Sequence, residues 1–165
     1  MTQIKHTLTT QKHRTMAVLT WGIGSLESTV SENGAPKTGS QWKKLDIPTQ
    51  DSLRVETKEG ETIEAKDEAG NIVDSRTSPS TYEIIFDTFV KKGVALPFTD
   101  KDGIIDGEHA FRYIPEDPTC QGWQADRTTV SSSILFSTKE GAKYRYKVKV
   151  LKPKTGNAFK MQVIS

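Results

Sequence analysis

Residues 45–89 read LDIPTQDSLRVETKEGETIEAKDEAGNIVDSRTSPSTYEIIFDTF. Two β-like runs, 52–57 and 81–86, bracket a middle that is densely charged, poor in large apolar residues and broken by Gly60, Gly70 and Pro79. Such a middle buries too little apolar surface to offset the conformational entropy lost on ordering it. If it is ordered, it leans on something outside its own domain. Over 52–57, Leu53 and Val55 alternate with Arg54 and Glu56, the period-two pattern of a half-buried strand. Ile63 and Ala65 repeat it weakly after the turn letters Lys58-Glu59-Gly60, which predicts a hairpin over 52–66. A second turn is expected at Glu68-Ala69-Gly70-Asn71. The run TYEIIF, 81–86, is too continuously apolar for a solvated edge and is expected in the middle of a sheet.

Immediately after it, residues 87–92 admit two readings. One is a single helical turn capped by Asp87 and stopped by Gly93; the other is a β extension through Val90. Further on, 110–114, 128–136, 143–150 and 158–164 carry β-prone or alternating patterns, the last with Phe159, Met161 and Val163 facing one way. The cleanest is KYRYKVKV, 143–150, with Tyr144, Tyr146, Val148 and Val150 on one face and Lys143, Arg145, Lys147 and Lys149 on the other. Upstream, residues 15–23 are β-branched and aromatic enough for a strand, 24–40 carry loop chemistry, and the polar residues 1–14 read as a flexible arm or an edge strand. Eight to ten short strands with almost no helical pattern describe a β-sandwich or barrel, within one domain spanning 1–165.

Composition narrows the function classes. Lysine plus arginine number 23 against 21 aspartates and glutamates, so the net charge of +2 supplies no global field for gripping a polyanion. The apolar fraction of 34% is low for a self-sufficient globule, which implies loops or assembly surface. Cys120 is the sole cysteine, so no internal disulfide can form, and no local motif makes it a nucleophile. The N-terminal region has only a short apolar run, 16–21, too short for a signal sequence or membrane span, and a soluble intracellular product is expected. His6 and His13 have no neighbouring ligands in sequence, and Gly22-Ile23-Gly24 lacks the third glycine of a phosphate loop. Residues 99–109, TDKDGIIDGEH, invite a calcium reading. Aligning Gly103 with the invariant glycine of an EF-hand loop leaves Phe98 and His109 at its first and twelfth positions, so two essential carboxylates are missing. Two aspartate-glycine turns explain the same letters. No metal, cofactor or catalytic residue is assigned.

From Trp42 onward the chain resembles the tail-tube (major tail) proteins of long-tailed bacteriophages, related in fold to the Hcp-like tube protein of type VI secretion. The residues carrying this are 42–89, with FRYIPEDP (111–118) and EGAKYRYKVKVLKP (140–153), segments similar to those of prophage proteins of this type. Residues 1–40 depart from the pattern. The resemblance implies two packed antiparallel sheets in a small barrel, one short helix beside it, and a long hairpin loop that reaches a neighbouring copy. It implies a non-enzymatic virion tail component, made in the bacterial host cytoplasm, whose hexameric rings stack into a conduit for DNA. Sheath, tail-terminator or baseplate proteins would be its other partners, with no membrane.

Under that resemblance the loop 58–80 belongs to assembly. Its charged residues Lys58, Glu59, Glu61, Glu64, Asp67, Glu68, Asp74 and Arg76 are the expected interface, together with Lys143, Arg145, Lys147 and Lys149. The basic face is either a solvated exterior or the partner of the acidic loop of another copy. Because dense lysine grips phosphate, it is expected to point away from a DNA-conducting lumen. An Hcp-like secretion tube is the alternative within the same architecture. A monomeric β-sandwich binding module is the alternative outside it, but Trp21, Trp42 and Trp123 are scattered rather than clustered.

Overall fold

The computed structural model describes residues 19, 20 and 22–165. The arm expected over 1–14, both N-terminal histidines, Trp21 and most of the strand expected over 15–23 lie outside the described residues. Thirteen strands follow: β1 (Ser25–Glu32), β2 (Ala35–Pro36), β3 (Lys43–Lys44), β4 (Arg54–Lys58), β5 (Thr62–Lys66), β6 (Ile72–Thr77), β7 (Thr81–Phe89), β8 (Asp100–Lys101), β9 (Ile104–Ile105), β10 (Glu108–Ile114), β11 (Gly122–Ser137), β12 (Gly141–Val150) and β13 (Lys160–Gln162). All but β5 and β6 join one antiparallel sheet whose main path is β2-β1-β10-β11-β12-β7-β4.

That sheet curls into a half-barrel over a single core, in place of the two packed sheets expected. Leu26 of β1, Phe111 of β10, Tyr146 of β12 and Phe86 of β7 belong to one buried cluster, and the Phe111 and Phe86 rings meet at 6.3 Å although β11 and β12 lie between their strands, as a curled sheet permits. Aromatic rings fill it. Phe86 lies 5.2 Å from Tyr146 and 6.3 Å from Phe111, and Phe98 closes the set at 5.4 Å from Tyr146. A second group stacks Trp123 on Tyr113 at 5.9 Å and packs it against Phe159, so Trp123 is a core residue. Each fully buried phenylalanine contributes about 2–3 kcal/mol by removing apolar area from water.

Three local expectations change. First, there is no helix at 87–92. β7 continues to Phe89, opposite Lys143, and the Val90 N–H donates to the Ala142 carbonyl at 3.0 Å. The β12 ladder satisfies the backbone there, so the capping letters have nothing to cap. Second, the loop expected over 24–40 contains β1. Its sequence SLESTVSE buries Ser28, Thr29 and Ser31 along with Leu26 and leaves Val30 exposed; Ser31 Oγ donates to the Asp126 carbonyl at 2.7 Å, and Thr29 bonds Ser40 at 2.8 Å. A strand held by ladder and hydroxyl bonds shows no hydrophobic alternation to read. Third, β11 starts at Gly122, six residues ahead of the run beginning at Thr128. The turn at 99–109 is as expected: Asp102 and Gly103 both have positive φ, 50° and 86°, in the two-residue link between β8 and β9.

The Tyr146 and Thr88 hydroxyls are buried beside one another; neither makes a hydrogen bond of standard geometry, although Thr88 is close enough to oppose weakly the upward shift of the Tyr146 phenol. Burial, then the neighbouring Tyr144, pushes the Tyr146 phenol up to about 12. Above pH 10 an unfolded tyrosine releases its proton while the folded one keeps it, so stability falls with rising pH. The slope is at most about 1.4 kcal/mol per pH unit, between pH 10 and about 12. Tyr146→Phe is expected to be neutral or stabilising by up to about 1 kcal/mol at pH 7, since only a weak contact with the Thr88 hydroxyl is lost. It should also flatten the alkaline slope relative to the parent. Urea titrations at pH 7 and pH 11 check both. A loss above roughly 1.5 kcal/mol at pH 7 would mean that the hydroxyl is bonded after all.

Candidate assembly surface

The middle of 45–89 is ordered as an arm. β4 pairs with β7 and β5 pairs with β6, so Lys58-Glu59-Gly60 is not the hairpin turn expected there. The two pairs share one register: Arg54 faces Ile85, Lys58 faces Thr81, and Thr62 faces Thr77. Between them the Ser78 N–H donates to the Glu61 carbonyl at 2.9 Å. The whole is therefore a single long hairpin, pinched at Gly60 and Pro79. Proline has no N–H to give a ladder, and at Gly60 even one Cβ would come within 1.6 Å of the Ser78 carbonyl oxygen. Glycine is required by that approach. The register continues through the pinch, which is why the local turn letters mislead.

Asp67 closes the far end of the arm. Its carboxylate accepts from the N–H groups of Ala69 and Asn71 at 2.9 and 2.8 Å and from the Asn71 side chain at 3.1 Å, while Gly70 takes φ 86°. The bonds from Asn71, side chain first and then backbone, hold Asp67 below the usual carboxylate range. Its role is thus to make the turn. Every residue of β5 and β6 is exposed, including Ile63 at 65%, Ile72 at 56% and Val73 at 65%. The span 58–80 carries six acids (Glu59, Glu61, Glu64, Asp67, Glu68, Asp74) against three bases (Lys58, Lys66, Arg76). Glu64 has Lys66 at 3.6 Å, and Asp74 accepts from the Ser75 N–H. Glu59, Glu61, Glu68 and Arg76 are exposed.

The basic face of β12 is half committed within the chain. Arg145 makes a two-pronged contact with Asp87, Nε to Oδ1 at 2.8 Å and Nη2 to Oδ2 at 3.0 Å. Hydrogen bonding to that carboxylate, then its charge, raises the arginine further. Lys143 meets Glu140 at 3.0 Å and lies 5.4 Å from the centre of the Phe89 ring. Lys149 sits opposite Glu83, itself opposite Glu56, at the root of the arm. Lys147 is exposed, opposite Ile85 with Arg54 beyond. Among the described residues no ion pair joins β5 or β6 to β12. The two charged surfaces singled out from sequence are therefore both present and exposed in part, but separate within one chain.

One further feature was not singled out from sequence, and one residue has a role other than the one expected. An open groove of about 890 Å³ runs between residues 47–55 and a wall that includes Leu26, Tyr113, Trp123 and Met161. Asp87, expected as a helix cap, is instead the buried partner of Arg145. Its only signal was the strand reading of TYEIIFDTF, which turns every second side chain outward. Three of the four carboxylates of the 99–109 segment are engaged. Asp106 meets Lys101 at 2.9 Å, Glu108 meets Arg127 at 2.7 Å, and Asp100 accepts from the Gly103 N–H at 2.7 Å. Among the described residues no three His, Cys, Asp or Glu side chains converge as a metal site.

No protein-family profile matches the chain, and no curated protein matches it in sequence. Among solved structures, its fold is similar to the sheath/tube terminator of an extracellular contractile injection system, PVC, in the extended state. The TM-score is 0.50 at 13% identity, over 83% of this chain and 92% of that one. The likeness is one of fold.

Proposed function

We propose that this chain is a structural subunit of a phage-like tail, closing into homo-oligomeric rings that build the tail tube. The observation that carries the reading is the ordered β5–β6 arm. A two-stranded hairpin is marginal in water by itself, and this one presents Ile63, Ile72 and Val73 to solvent. A second copy would cover them, and its contacts would offset the cost of holding the arm extended. The fold likeness to a tail component supports the same setting. The role is structural, without catalysis, and DNA would pass through the ring without specific binding. Sheath, terminator or baseplate proteins are the natural neighbours, and hexameric closure is the expected ring number.

A second reading is favoured by the neighbour itself: a ring that ends the tube rather than builds it. Negative-stain microscopy with sedimentation separates the two. A tube subunit is expected to give stacked rings that lengthen with concentration, and a terminator to stop at single rings. A strict monomer at high concentration would remove both.

A further inference from the structure

The inner face of the sheet continues past the end of the core. β11 pairs with β12 without a register shift from Thr128↔Val150 to Ser137↔Gly141, and β12 pairs with β7 as far as Lys143↔Phe89. Alternation therefore keeps side chains in phase. Val130 and Val148 are buried; next come Ser132 and Tyr146, then Ile134 and Tyr144, then Phe136 and Ala142, with Val90 alongside. Burial stops while the apolar pattern does not: Ile134 is 64% exposed, Phe136 72% and Val90 45%. Beyond Ser132, no strand among the described residues pairs with β11 on the side away from β12. The result is a bare apolar shelf with an open strand edge, the kind of surface that natural proteins cover or use.

Position and charge say what covers it. The shelf lies at the Phe89 end of β7, and the β5–β6 arm leaves from the Thr81 end of the same strand. Nine residues of strand separate them by roughly 30 Å, and the arm projects away from the shelf. One chain cannot bring them together; two copies arranged head to tail can. Beside the shelf in the chain stand Lys91, Lys92 and Lys139; Lys91 is paired with Asp46, and the one neighbouring acid, Glu140, is paired with Lys143 of the opposite face. Its border is thus net positive, whereas the arm is net negative. Both carry unburied aliphatic or aromatic side chains.

Resting on the assembly reading above, we propose that Val90, Ile134, Phe136 and Tyr144 form the surface that receives the β5–β6 arm of a second copy. The contact is heterologous: each copy offers an arm at one end and a shelf at the other, so it repeats until a ring or stack closes.

Two single-cysteine variants test this, Ile63→Cys and Phe136→Cys, each in a Cys120→Ser background with Cys120→Ser alone as control. When they are mixed and oxidised, a cross-linked pair of one copy of each is expected to dominate. Phe136→Asp, at a position already 72% exposed, should leave the melting temperature unchanged and weaken association on the order of tenfold or more. Assembly that persists at parental strength in Phe136→Asp would overturn the shelf while leaving the assembly reading intact. Cross-links confined to pairs of Phe136→Cys copies would overturn the arm as occupant and show a shelf-to-shelf contact instead. A parent that stays monomeric throughout would overturn both the shelf and the reading beneath it.

Discussion

Replacing residues 60–79 with Asn-Gly is expected to leave a folded domain that no longer assembles. The design follows from the register. Lys58 faces Thr81, so Glu59 and Ser80 come opposite one another, and a two-residue type I′ turn can close between them. The excised arm includes β5 and β6, both fully exposed, and none of the buried core. Shortening the connection also lowers its closure entropy slightly. Stability by urea denaturation should therefore stay within about 1 kcal/mol of the parent. The effect falls on association: rings or tubes seen for the parent should disappear, with the sedimentation coefficient of a monomer at all concentrations. Loss of folding would place the arm in the core. Rings that persist would show that the assembly does not use it.

Arg145→Ala should cost about 2–3 kcal/mol, the largest single-residue loss among these outcomes. The Asp87 side chain is only 9% exposed and is held by two arginine N–H groups. Removing the arginine strands a carboxylate on a strand buried on both sides, between Phe86 and Thr88. The figure sits below that of a fully buried pair because Arg145 is 35% exposed and water can partly replace it. Asp87→Ala should cost less, since it leaves an arginine able to reach solvent. In the double variant the second change should add little, giving a positive coupling in a double-mutant cycle. If Arg145→Ala lies within 0.5 kcal/mol of the parent, by the usual scale for surface substitutions, the pair is solvated and contributes nothing. Arg145 was expected from its place on the basic face to meet a second copy. With Asp87 as its partner inside the chain, Lys147 and Lys149 are the more available charges of that face.

The strands that were legible are those whose side chains alternate between water and core. TYEIIF and KYRYKVKV became β7 and β12, neighbours in the sheet, and Leu53 and Val55 turned inward while Arg54 and Glu56 turned outward. The missed strand, β1, had no such contrast, because it buries serine and threonine whose hydroxyls find partners outside the strand, Thr29 at Ser40 and Ser31 at the carbonyl of Asp126. Asp87 failed for a related reason. An aspartate before a short run and a glycine has the same letters whether it caps a helix or pairs with an arginine 58 residues later.

What the residue order determined by itself was local: β class, the positions of most turns, and a charged middle without apolar residues enough to bury. Pairing lay beyond it. The letters Lys58-Glu59-Gly60 favour a turn on their own, and only the register shared by the Arg54–Ile85 and Thr62–Thr77 pairings carries the chain straight through them. Likewise Ile134 and Phe136 look like core residues in any window of the sequence. Their exposure follows from where the half-barrel ends, a consequence of curvature and strand length that no short stretch encodes.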